Sequence, residues 1–490
     1  MADQIRDVHA WLGKAVTRRT ALALAGGGVA ALLAACGGQP ASPTAAPKPT
    51  EAAKPAAEPT KPAAVAPTVA PTAAPAATKP AEPTKPAAAP AATPTTAPAA
   101  AATKPAAGTP DKIVIVSSLP RQGSNKGQTD AAVNAIKMAF KEVNYKVGSF
   151  TIEYLDWDDS SVAQQGNWDG NVERANAQKA VENPDVMAYI GTFNSGAAKI
   201  SIPILNQANL VMISPANTYP GLTKPGKGEA NEPQVYYPTG KRNYCRVVPA
   251  DDIQGAVGAA WAKQLGAKKA YVLDDQQLYG KGLANVFADS AKKVGLEVVG
   301  REGIDIQAQD YRSLANKIKA SGADMVYYGG ITGNNAAKLW KDVRAALGPS
   351  AIMMGADGIF DEDFLKGAGD AAENTYVTFG GLPPKELKGK GKEFYDAYKK
   401  EYNNLEPEAY AVYSYEAAKV VIAGIQKAGK KDRDAIRQAV MSTKDFDGAL
   451  GKWSFDDNGD TTLTDMSGSQ AKKKDGKLEW SFVSTLQAPK

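Results

Sequence analysis

The chain has 490 residues, with 57 basic against 52 acidic side chains, one histidine and two cysteines. Residues 1–35 hold four basic and two acidic side chains and residues 36–110 six Lys and three Glu, which leaves 47 of each sign in the rest. A formally neutral globular part gives nucleic acid no electrostatic footprint. With His9 the only histidine, Ser-His-Asp triads, His general bases and His-bearing zinc sites are excluded from everything that follows the first residues.

The chain opens on a polar stretch, the pair Arg18 and Arg19 in TRRTALAL, a 15-residue apolar run ALALAGGGVAALLAA, and Cys36. That order predicts an export signal over residues 1–35, to be set aside from the fold. The run is short against the roughly 20 residues of a membrane span. LLAAC resembles a bacterial lipobox, which implies cleavage before Cys36 and a lipid anchor on its thiol. TRRTAL resembles a twin-arginine motif, with Thr17 and Ala21 as departures from it. Residues 36–110, as in KPTEAAKPAAEPTKPAAVAP, carry too little apolar surface to offset ordering entropy. They are expected as an extended spacer reaching on the order of 100 Å from the membrane. With Cys36 under lipid, Cys245 has no disulfide partner and reads as a small buried side chain.

About 380 residues remain, too many for one ordinary core, so two domains are expected. KIVIVSSLP reads as a strand, GQTDAAVNAIKMAFKEVN as a helix, FTIEYLDW as a strand, NVERANAQKAVEN as a helix and DVMAYIG as a strand. A helix follows from about Ser195 to Ala208, then the strand LVMISP. Such alternation means parallel strands with right-handed crossovers. A second series of the same kind runs from IQGAVGAAWAKQLG to AIMMGADG. After NTYVTFGG come three helical segments, KGKEFYDAYKKEYN, AYAVYSYEAAKVVIAGIQKAG and RDAIRQAVMS. GKWSFDDNGD and KLEWSFVS close the chain as strands of antiparallel character. Two similar α/β lobes meet at a cleft lined by the loops that follow their strands.

The loop YIGTFNSGAAKI has the glycine spacing of a phosphate loop, but Ala197 and Ala198 stand where Lys and Ser/Thr are required. Ser195 lacks the preceding Gly of a nucleophile elbow. Two readings stay open: Ser195 caps its own helix, or its hydroxyl joins the N–H groups of Gly196, Ala197 and Ala198 in holding an anion. ISPANTYPGLT brings Thr218 and the Ala216 carbonyl beside it, a fit for a free carboxylate. In the second lobe DDQQLYGKG places Tyr279 in a strand-to-helix loop and MGADGIF places Asp357 in another, there to pair an ammonium or to cap a helix. FDDNGDT lacks the ligand spacing of a calcium loop and reads as a hairpin turn; KKKDGK reads as a solvated turn. Neither a metal nor a cofactor is expected.

Eight stretches in this order, YIGTFNSG, LVMISPANTYPGLT, RVVPADDIQG, DDQQLYGKGLA, DMVYYGG, MMGADGIFD, GDAAENTYVT and WSFDDNGD, carry a resemblance over nearly the whole globular part. It is to the extracytoplasmic solute-binding proteins of branched-chain amino acid ABC transporters, the leucine/isoleucine/valine-binding type. The resemblance implies an α/β clamshell of two similar lobes with parallel sheets flanked by helices, joined by three crossovers. The first lobe is expected over residues 111–248 plus 380–445, the second over 249–379 plus 446–490. It further implies a non-enzymatic monomer that closes on a free amino acid, branched-chain or aliphatic, and engages a permease with ATPase subunits. A ligand-binding module of a sensory system fits the same residues, as does a ligand of another small carboxylate, amide or urea type. By resemblance Ser195, Gly196 and Thr218 meet the α-carboxylate, the Ala216 carbonyl and Asp357 the α-ammonium, and Tyr279 covers the ligand. Three positions depart from the pattern. Asp357 replaces a longer Glu, Ile331 replaces an aromatic, and Lys126 replaces an aromatic facing the ligand side chain, where it either points outward or favours an acidic or polar ligand.

Overall fold

The computed structural model describes residues 111–488; the expected export signal, Cys36 and the expected spacer lie outside them. The first half alternates strand and helix, with two exceptions. In chain order come β1 (Lys112–Leu119), α1 (Lys126–Glu142), β2 (Lys146–Val147), β3 (Phe150–Asp158), α2 (Gly170–Glu182), β4 (Val186–Gly191), α3 (Ser195–Gln207), β5 (Val211–Ser214) and β6 (Tyr244–Arg246). The exceptions are the short β2 before β3, and β6, which follows β5 without an α-helix between. They build a six-stranded sheet of order β2-β3-β1-β4-β5-β6, parallel except for the short β2. All six residues of β4 and all four of β5 are buried, as helices on both faces require of a central parallel strand.

The second series repeats the plan: α4 (Asp251–Gln264), β7 (Lys269–Asp274), α5 (Leu278–Lys293), β8 (Glu297–Gly303), α6 (Arg312–Ala320), β9 (Met325–Gly329), α7 (Ala337–Leu347), β10 (Ile352–Gly355), α8 (Glu362–Ala368) and β11 (Thr375–Gly380). The chain then returns to the first lobe through α9 (Lys390–Glu401), α10 (Ala411–Ala428) and α11 (Arg433–Met441). α10 packs along α1, and α11 packs on β4 and β5. A hairpin, β12 (Phe446–Gly448) and β13 (Gly451–Trp453), precedes β14 (Met466–Lys474) and β15 (Lys477–Leu486). The second sheet has the order β15-β14-β11-β10-β9-β7-β8, with β14 and β15 antiparallel. The chain thus passes between the lobes three times.

The last third departs from expectation at three points. Residues 446–461, expected with the second lobe, are held by the first. The buried Glu416 of α10 accepts from Ala449 N at 2.9 Å, Leu450 N at 3.4 Å and Trp453 Nε1 at 2.7 Å, and Asp460 pairs with Arg246 at the end of β6. A buried carboxylate and a buried guanidinium each need partners, and this segment brings them. The partner of β15 is β14, whose sequence MSGSQAKKK lacks the alternation that marks a strand. In KKKDGK the lysines are the arms of that hairpin rather than its turn. Lys474 stands opposite Lys477, and Asp475 and Gly476, at φ 49° and 80°, make the turn. The FDDNGDT turn is present, Phe455 bridging Thr461, but its Asp460 points into the core.

Candidate functional site

The site begins at the C-terminal ends of β4 and β5, which run parallel with Ala188 opposite Val211. Their two turns are sewn together by polar side chains. Asn217 Nδ2 donates to Phe193 O at 3.0 Å and to Thr192 Oγ1 at 3.3 Å. Ser214 Oγ donates to Thr192 O at 2.9 Å and accepts from Ala216 N at 3.1 Å and Asn217 N at 2.8 Å. Ser195 is the first residue of α3, after the cap position at Asn194, so its oxygen does not cap its own helix. It accepts instead from Tyr219 N at 3.3 Å. Ser195, Ala216 and Thr218 are all buried, and the Thr218 hydroxyl has no partner in the protein.

Arg246, fully buried, fixes this loop from beneath. Its Nη1 donates to Asn217 O at 3.2 Å and Tyr219 O at 2.8 Å, the carbonyls on either side of Thr218. Its Nε donates to Asp460 Oδ1 at 2.7 Å, and its Nη2 bonds Thr223 Oγ1. Burial works against the Asp460 carboxylate, and the guanidinium outweighs it, holding the group below the ordinary carboxylate range.

The opposite wall is anionic. Asp357 follows β10, and its carboxylate accepts from Tyr279 Oη at 2.9 Å and from Tyr410 Oη at 2.5 Å. Tyr279 sits in the first turn of α5 and Tyr410 just before α10, so Asp357 is clasped from both lobes. Asp251, the first residue of α4, donates its N–H to Thr218 O at 2.9 Å. Neither of its carboxylate oxygens has a hydrogen-bond partner, and the residue is fully buried. Burial, then the neighbouring Asp357, push the Asp251 carboxyl well above its ordinary value, with Thr218 and Arg246 pulling the other way. Asp357 is also raised, by burial, against the two tyrosine hydroxyls.

Of the expected site residues, Ser195, Ala216 and Thr218 gather on one side and Tyr279 and Asp357 on the other; Ile331 is buried in the same cluster as Tyr279. Gly196 is demanded by packing: an added Cβ would come within 2.5 Å of the Trp168 ring. Lys126 is not brought in. α1 begins at this residue and turns its side chain to solvent, 55% exposed and paired with Asp130 one turn on. The buried residue of that turn is its neighbour Asn125. Sequence reasoning does not single out Asp251, Tyr410 or Arg246. A carboxylate at the start of a helix reads as an ordinary first-turn acid, and Tyr410 lies 53 residues from its partner. Among the described residues no group of three or more His, Cys, Asp or Glu is placed to hold a metal ion, and no helix is long and apolar enough to cross a membrane.

The comparisons with known proteins agree with this architecture. The family model described as "Periplasmic binding protein" matches residues 112–477. The Leu/Ile/Val-binding protein BraC3 of Rhizobium johnstonii is 28% identical over 367 residues, 73% of this chain and 91% of that protein. The solved leucine binding protein LivK of Thermotoga maritima matches with a TM-score of 0.66 at 25% identity, over 76% of this chain and 99% of its own. A solute binding protein of Rhodopseudomonas palustris in complex with p-hydroxybenzoic acid shares the fold, at 0.66 and 20% identity over 77% of this chain and 98% of its own. The chain belongs to the periplasmic binding protein family, as a two-lobed solute-binding protein of a transporter and not an enzyme.

Proposed function

We propose that the chain is the receptor of an ABC importer for a free α-amino acid, held outside the cytoplasm by a lipid on Cys36. The observation that carries this is the pairing of two buried carboxylates, Asp251 and Asp357, with the hydroxyls of Ser195 and Thr218. Two buried carboxylates that repel one another call for a cation between them, and an α-ammonium supplies it. The α-carboxylate then takes the two hydroxyls and the N–H groups at the start of α3. An aromatic acid without an ammonium leaves the Asp251 and Asp357 pair uncompensated. Each charge-assisted hydrogen bond contributes about 1.5–3 kcal/mol, so four or five support micromolar binding after ordering costs.

Function follows from closure. The ligand docks on the first lobe, and contacts from Tyr279 and Asp357 favour the shut form, which the permease then engages. Thermal shift of the intact protein against the free amino acids and against p-hydroxybenzoate tests the ligand class. A shift with an amino acid and none with the benzoate is expected; the reverse removes the proposal. Anchoring is tested separately, since Cys36→Ala should move the protein from the membrane fraction to the soluble one.

A further inference from the structure

The C-terminal ends of the first sheet's strands carry two more polar side chains that the site leaves without partners. Asn125 ends the turn after β1 and Asn194 the turn after β4; they are 2% and 9% exposed. β1 and β4 are neighbours, with Ser118 opposite Gly191, so the two turns lie side by side. An asparagine in front of a helix ordinarily caps it, yet neither of these does. Asn125 Nδ2 and Asn194 Oδ1 have no hydrogen-bond partner in the protein. Buried amides are nearly always satisfied, so two exceptions on these neighbouring turns ask for a polar group from outside.

The surroundings narrow that group. The second lobe meets these ends through Asn167 Nδ2, which donates to Gly333 O at 3.3 Å. Ser124, next to Asn125, lies against the same glycine, its Oγ 2.9 Å from where a Cβ would stand. The cations of the turn are already engaged. Lys126 pairs with Asp130, and Arg121 with Asp130 and Asp156, so an acidic side chain finds no counter-ion. Phe193 and Tyr410 meet edge to face at 5.4 Å and offer an apolar wall to a short stem. A purely aliphatic side chain fits that wall but seals both amides dry.

We propose that Asn125 and Asn194 read a carboxamide at the end of the ligand's side chain, so that the amino acid taken is asparagine or glutamine rather than an aliphatic one. This rests on the amino-acid reading above. A carboxamide offers donors and acceptors together and answers the free donor of Asn125 and the free acceptor of Asn194 at once. A site built on such bonds rejects the analogue that lacks them.

Calorimetry on the intact protein with glutamine, asparagine, leucine and glutamate tests it. One carboxamide is expected to bind at least about tenfold tighter than leucine and glutamate. The double variant Asn125→Leu, Asn194→Leu is expected to reverse the order in favour of leucine. Leucine or glutamate matching the carboxamides on the wild-type protein overturns the assignment and leaves an amino-acid receptor standing. Silence toward every free amino acid removes both. The wild-type comparison is decisive whether or not the variant folds.

Discussion

Asp460 and Asp251 are both buried carboxylates packed against the loop of residues 217–223, and the fold treats them in opposite ways. Asp460 receives Arg246 Nε and the Thr223 hydroxyl, and its carboxyl is held below the usual range. Asp251 makes no formed hydrogen bond at either oxygen, has only the nearby Thr218 hydroxyl and the Arg246 charge in its favour, faces a second carboxylate, and is pushed well above it. A buried charge whose partner comes from the same chain is part of the scaffold. One that lacks a partner, on the helix that opens the second lobe, is where the proposed ligand's ammonium would be compensated. The two are coupled through the loop between them, because Arg246 holds the carbonyls that flank Thr218 while Asp251 N–H holds the carbonyl of Thr218 itself.

Breaking the completed pair should have the largest effect. Arg246→Met strands the Asp460 charge and should cost about 3–5 kcal/mol in urea melts; adding Asp460→Leu should restore part of it. A loss no larger than that of an ordinary surface substitution would show that the pair is not the anchor described. The unfinished site should respond in the other direction. Asp251→Asn removes an uncompensated charge, so the unliganded protein should melt no lower than wild type, while ligand affinity drops by about 2–4 kcal/mol. Calorimetry and a melt on one sample separate the two. Unchanged affinity would remove Asp251 from the site.

That difference also explains what could be read in the sequence. Alternation of apolar strands and amphipathic helices is local, and it carries both parallel sheets. The first-lobe turns are legible because Ser195 and Thr218 follow buried strands directly. What escapes is what depends on distant chain. β14 is written in small and polar residues and is a strand only because β11 and β15 flank it. The segment 446–461 belongs to the first lobe because Glu416 and Arg246 need its donors and its carboxylate. Tyr410 reaches Asp357 from the turn in front of a helix of the other lobe. Lys126 fails for a local reason: an expected α1 that begins at Gly127 leaves Lys126 in the turn, whereas the helix includes it and supplies Asp130 as its partner.

Acidity sharpens the comparison next. Burial raises Asp275 to about 6, Asp361 to about 7 and Glu408 to about 8, and raises Asp251 and Asp357 as well. A carboxyl whose folded value is raised binds its proton more tightly folded than unfolded. Stability is therefore lost as pH climbs from the unfolded value near 4 through the folded one. Asp460, depressed, acts the other way, and its contribution disappears only as pH falls below the ordinary carboxylate range. The unliganded protein should accordingly melt higher at pH 5 than at pH 8, and saturating ligand should narrow that gap by compensating Asp251 and Asp357. A melting temperature that rises toward pH 8 without ligand would contradict this assignment.

The smallest effect separates the two tyrosines. Tyr279 and Asp357 lie in one lobe, whereas Tyr410 comes from the other. Tyr279→Phe and Tyr410→Phe each remove one hydroxyl donor to the same carboxylate and should each cost about 1 kcal/mol in affinity. Only Tyr410→Phe also removes a bond that joins the two lobes. Its loss should appear chiefly as faster ligand release, with little change in association. Stopped-flow release rates distinguish the pair. Equal acceleration in both variants would mean that the Tyr410 hydroxyl serves Asp357 as a charge partner and contributes nothing to closure.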